Sequence, residues 1–127
     1  MFSKGSAAYY IDDQGRDHCI DVSMVYRYIA EGKYTVKVEG LEDHVDIPLI
    51  IPQHYTVHAY IAPAKAMSFP EHKDPYPVFI HVLEGIKTMA VRDLVYHIQE
   101  GQTLFIDANV PHRAMNLTSS VMLSIGV

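Results

Sequence analysis

Glycines cut the C-terminal half of the chain into runs too short for helices, and most of those runs alternate like strands. Gly85 ends the run Val78-Phe79-Ile80-His81-Val82-Leu83-Glu84, and Gly101 opens a stretch that closes at Asn116. Between them, Ile86 to Val91 and Leu94 to Ile98 flank Arg92-Asp93, which reads as a tight hairpin turn. Thr103 to Ile106, His112 to Asn116 and Val121 to Val127 continue the series, separated by the turn Gln99-Glu100-Gly101 and the loop Asp107 to Pro111. Short strands spaced roughly 8 to 12 residues apart predict an all-β barrel or sandwich. A small barrel of this kind gathers side chains from separate strands around one pocket. The pattern places His72, Asp74 and His112 where they can converge.

The first half is more varied. Residues 1 to 8 read as a loose leader, and Asp12-Asp13-Gln14-Gly15 as a turn. From Asp21 to Gly32 a short helix over 21–31 is expected, with Asp21 as N-cap, Gly32 as C-terminal stop, and Val22, Val25, Tyr26 and Ile29 on one face. The Val, Tyr and Ile content also suits a strand. Tyr34, Val36 and Val38 alternate with Thr35, Lys37 and Glu39, the period of a half-buried strand. Ile47 to Ile51 is an edge strand or strand start because Pro48 interrupts it. His54 to Ala62 alternates again, and Pro63 to Pro70 is a connection.

At 127 residues and 49% hydrophobic content, one domain with a substantial core is expected. The net charge is -5 and the ten Lys and Arg residues are scattered, which argues against a nucleic-acid partner. No apolar run approaches the ~20 residues needed to span a bilayer, and the first residues lack a signal-peptide core. Cys19 is the single cysteine, so no intrachain disulfide forms, and a cytoplasmic location is expected.

The C-terminal half resembles the cupin superfamily. One cupin motif runs His, one residue, His, three or four residues, Glu, six residues, Gly. The other runs Gly, five residues, Pro, one residue, Gly, two residues, His, three residues, Asn. Gly101, His112 and Asn116 match the second motif, with Asp107 and Asn109 in place of its Pro and inner Gly. Asn109 is a mild change, because Asn tolerates the left-handed backbone. Counting back from Gly85, Val78 stands at the Glu position of the first motif, and His72 and Asp74 stand at its two His positions. The resemblance covers about residues 54 to 127. It implies a cupin-type double-stranded β-helix, a jelly-roll barrel, over 33–127, with residues 1–32 as an N-terminal extension. It also implies a homodimer, for which a strand edge from the N-terminal half can pair between subunits.

His72 and Asp74 are two apart, so on an extended strand they share a face with Cα atoms roughly 6.6 Å apart. Joined by His112, they form a two-His, one-carboxylate set of the kind that holds non-haem Fe(II) with open positions; Zn, Mn, Ni and Co suit the same ligands. The order is similar to that of 2-oxoglutarate oxygenases, but Ser120 to Leu123 offers no basic residue for that co-substrate. His72 and Asp74 also fit an ordinary Pro-flanked surface loop, and His112 an internal hydrogen bond. His54 and His58 lie about 13 Å apart along a strand and cannot share an ion. His58 and Tyr60 are expected at the barrel mouth, Val78, Ile80 and Val82 as an apolar wall, and Asn116 as a polar anchor. His81 is out of phase and points away, while Tyr76 and Met115 read as packing residues.

Two functions follow, beside a third reading in which the barrel is only the scaffold of a dimeric interaction module. The first is a small metalloprotein acting on a small polar molecule as a dioxygenase, isomerase or lyase, with the divalent ion polarising an oxygen or activating dioxygen. The second is a non-catalytic barrel that binds or senses a small ligand with little or no metal.

Overall fold

The computed structural model describes residues 6–51 and 53–127. Most of the expected leader, residues 1 to 5, lies outside the described residues. Nine strands are present among those described: β1 (Ala7–Ile11), β2 (Asp17–Ile20), β3 (Thr35–Glu39), β4 (Thr56–Ala62), β5 (Val78–Val91), β6 (Leu94–Gln99), β7 (Thr103–Ile106), β8 (His112–Met115) and β9 (Ser120–Gly126). They pair antiparallel in the order β2-β1-β3-β4-β9-β5-β6, with β7 and β8 also pairing with β5. This is the expected all-β jelly roll.

The long strand β5 makes the barrel. Its first half pairs with β7 and β9, and its second half with β6 and β8. The sequence predicts two strands broken at Glu84-Gly85; the chain instead forms one strand with a register shift between Val82 and Glu84. Gly85 sits just after the shift at φ 77°, and a Cβ there would overlap the Ser119 carbonyl oxygen. Glycine therefore bends the strand from one sheet into the other without reversing it.

The helix forms where expected, but in two parts. Asp21 Oδ1 accepts from the Ser23 backbone N–H at 2.9 Å and starts a 3₁₀ turn, Val22–Met24, which leads into α1 (Val25–Glu31). Gly32 ends it in the left-handed conformation. The tighter 3₁₀ turn rotates the apolar face. Val25 is buried and Tyr28 and Ile29 pack on the core, whereas Tyr26, expected on that face, is 56% exposed.

Residues 7–20 do not hang off the barrel. Strand β1 pairs with β3 along its full length, and Ala8 and Ile11 are fully buried. Strand β3 is covered on both faces: Val36 and Val38 join a core cluster with Val25, Val57 and Leu123, while Lys37, expected outward, is buried toward the barrel interior. Ile47 to Ile51 forms no strand. A second cluster, including Val78, Ile80, Val82, Met89 and Met122, fills the barrel.

Candidate metal centre

Period-two alternation builds the pocket. Thr56, His58 and Tyr60 of β4 face Gly126, Ser124 and Met122 of β9, and Val78 and Ile80 of β5 continue the same inner surface. Together with Met89 and Ala114 they line a cavity of about 140 Å³ that opens to solvent. His72, Asp74 and His112 line the same cavity.

Backbone pairing brings the two imidazoles together. His72 N–H donates to the His112 carbonyl at 3.1 Å and His112 N–H to the His72 carbonyl at 2.9 Å, an isolated antiparallel bridge. Residues exchanging both hydrogen bonds stand directly opposite with side chains on one face. The ring centroids lie 4.5 Å apart. Asp74 is fixed by its carbonyl, which accepts from Asn109 N–H at 2.7 Å. Asn109 adopts φ 62°, the left-handed backbone expected of it in place of glycine.

The second ring nitrogens set the donor direction. His72 Nδ1 lies 3.0 Å from the Pro70 carbonyl and His112 Nδ1 2.9 Å from the Val110 carbonyl. A carbonyl only accepts, so each Nδ1 donates to its carbonyl and each Nε2 is left turned toward the cavity. Asp74 Oδ2 sits 3.3 Å from His112 Nε2 and 3.9 Å from His72 Nε2. The three donor atoms all lie within 4.8 Å of one another. Those two carboxylate–imidazole separations match what two ligands on one ion take with bonds of about 2.0–2.2 Å. His112 is buried, and the His72 side chain is 45% exposed, so the trio stands at the boundary between core and solvent. Two imidazoles so oriented and one carboxylate suit a divalent ion.

The remaining expected site residues divide. His58, Tyr60, Val78 and Ile80 line the cavity. Burial lowers the His58 pKa and raises that of Tyr60, so both remain uncharged near neutral pH. Val82 does not reach the cavity: it faces Met122 on the same inner surface but is wholly buried in packed core. Asn116 is not at the pocket either. It lies beyond the end of β8, where its Oδ1 accepts from Lys87 Nζ and its Nδ2 donates to Thr35 Oγ1 at 3.2 Å and the Ala66 carbonyl at 2.8 Å. His81 points away as expected and hydrogen-bonds Thr103 Oγ1 at 2.9 Å. Tyr76, read as packing, lines the cavity.

Lys37 and Phe69 are site residues that the sequence did not reveal. Lys37 Nζ pairs with Glu39 at 2.9 Å and Asp17 at 3.4 Å and lies over the rings of Tyr9 and Phe69. Phe69 packs edge-on against His72 and Tyr60. An alternating strand ordinarily turns lysine outward, so no local signal marks Lys37.

The fold is shared with solved structures. A conserved protein of unknown function from Streptococcus pyogenes is 22% identical, with 62% of this chain and 68% of that one covered and a TM-score of 0.54. KdgF from Halomonas sp. is 12% identical, covering 72% and 78%, with a TM-score of 0.55. The DMSP lyase DddQ from Ruegeria pomeroyi DSS-3 is 16% identical, covering 57% of this chain and 37% of that one, at 0.52. No curated protein matches the chain. The cupin-domain family model matches residues 57–126, more than half of the chain and nearly all of the span from β4 to β9 that supplies most of the cavity lining, so this protein belongs to the cupin family.

Proposed function

We propose that this cupin holds one divalent metal ion through His72, Asp74 and His112 and acts on a small organic molecule admitted to the adjoining cavity. The observation that carries this reading is the bridge-paired imidazoles, each with Nδ1 committed to a carbonyl and Nε2 turned toward the same carboxylate. When bound, the ion supplies Lewis acidity toward a ligand oxygen. The chain's own residues do the rest. Asp74 balances part of the ion's charge, Tyr60 remains a neutral phenol, and Ile80, Met89 and Met122 exclude water. Three protein ligands leave coordination positions open, which suits dioxygenase, isomerase or lyase chemistry alike.

Elemental analysis after loading with Fe(II), Zn, Mn, Ni or Co tests this. The intact protein is expected to retain about one equivalent, and His112→Ala less than about a tenth, because a site missing one of three ligands loses most of its affinity. Equal metal content in the two proteins would remove His112 from the ligand set.

A second reading, a non-catalytic binding barrel, is favoured by one observation. Val78, at the motif's Glu position, makes the cavity wall apolar where a fourth ligand would stand. Ligand binding unchanged by chelation would favour that reading. The exposed free Cys19 suits a reducing cytoplasm. Among the described residues, no helix is long and apolar enough to cross a membrane.

A further inference from the structure

We propose that the cavity takes an uncharged organic molecule about the size of a benzene ring. Its hydroxyl or carbonyl oxygen turns to the His72–Asp74–His112 trio, and its carbon skeleton lies against Ile80, Met89 and Met122. The orientation rests on the metal reading above; the size and charge rest on the cavity alone.

Size comes first. The cavity measures about 140 Å³. An apolar protein cavity of about 150 Å³ accommodates benzene. Ile80, Met89 and Met122 are nearly fully buried and offer only hydrocarbon and thioether surface. A ligand's carbon skeleton is best placed against this part of the lining, because a polar group facing it would lack a partner, whereas Thr56, His58, Tyr60 and Ser124 offer hydrogen bonds elsewhere in the cavity.

Charge comes second. Among the described residues the one ammonium at the cavity, Lys37, is already held by two carboxylates, Glu39 and Asp17, and covered by two aromatic rings. Asp74 adds a third carboxylate. A divalent ion brings this group to neutrality and leaves no positive charge for an anionic ligand to balance. The other polar side chains at the wall, including Thr56, His58, Tyr60 and Ser124, are uncharged hydrogen-bonding groups. Burial, and after it the carboxylates of Glu39, Asp74 and Asp17, keep the Tyr60 phenol protonated, so it adds no charge to the wall.

Phenol and benzoate share a ring and differ in charge at neutral pH, so they separate the cases. Calorimetric titration of zinc-loaded protein, with zinc content measured on the same samples, is expected to give a phenol Kd at least about tenfold below that for benzoate. Ala114→Phe projects into the cavity from β8, opposite Met89, and is expected to abolish phenol binding while zinc is retained. Met89→Ala enlarges the cavity and is expected to bind 2-naphthol at least about tenfold more tightly than the unaltered protein does. Should one variant fail to fold, the other still reports on the cavity. Benzoate binding as tightly as phenol, or 2-naphthol binding the unaltered protein as tightly as phenol, would overturn this inference with the metal site intact. A preference for phenol in protein that takes up no zinc would support the ligand class and overturn the metal reading instead.

Discussion

Val78 is one residue on which the chemistry of this barrel turns. It is 3% exposed, lines the cavity, and stands where the family motif has Glu. Restoring the carboxylate with Val78→Glu is expected to tighten metal binding at least about tenfold, about 1.4 kcal/mol, in competition with a chelator. The metal-free variant is expected to lose about 1–3 kcal/mol in urea unfolding, because a buried carboxyl without a partner costs its desolvation. An unchanged metal affinity would mean that Val78 does not face the ion. At this scale the motif spacing made His72, Asp74 and His112 legible as candidates, since it depends only on counting. Lys37 was not legible. Its burial depends on Glu39 nearby in sequence, but also on Asp17, Tyr9 and Phe69, which only folding brings to it.

At the scale of the element, β5 shows how one extra residue changes what a strand means. Before the register shift, Val78, Ile80 and Val82 face inward; after it, Lys87 and Met89 do. A bulge changes the parity of every later side chain. Counting by twos from Val78 therefore passes over Met89, a cavity wall, and Lys87, which is 1% exposed. Lys87 Nζ donates to Asn116, which with Thr35 grips the backbone of residues 65–67, just ahead of Phe69 and His72. Burial pushes the Lys87 pKa down to about 8, below its ordinary 10.5. The sign follows from linkage. Between those values the unfolded chain binds more protons than the folded one, so Lys87 makes the protein more stable as pH rises from about 8 to 10.5. Lys87→Met is expected to lack this gain. The stability difference between parent and variant, followed by urea unfolding across that range, should shift in the parent's favour as pH rises. A pH-independent difference would show that the amine does not titrate there.

The whole molecule combines an N-terminal sheet and helix with a barrel through β3 and β4, whose residues belong to the first core cluster. Among the described residues, strands β2, β6 and β7 are each paired with one neighbouring strand only and so present free edges. Strand β2 is short and polar, with Asp17, His18 and Cys19 exposed, a composition that discourages pairing between copies. Strand β6 ends the sheet at the other side and exposes Leu94, Val95 and Tyr96. In place of the N-terminal edge expected from the sequence, the homodimer is proposed to form by antiparallel pairing of β6, which carries a run of three exposed apolar residues, with its own copy about a twofold axis. Light scattering is expected to give twice the monomer mass for the parent and the monomer mass for a Leu94→Lys, Tyr96→Lys variant. A monomeric parent would end this proposal. Strand periods, turn residues and the N-cap at Asp21 are local preferences, and motif spacing is simple arithmetic, so the chain's order of residues was enough for the all-β class, most strand positions, the helix and the three candidate ligands. Folding alone decided the continuity of β5, the inward turn of Lys37 and Lys87, and the diversion of Asn116 from the pocket to a buried network. Each of these depends on a bulge, or on partners many residues away, and neither is encoded in any short stretch of sequence.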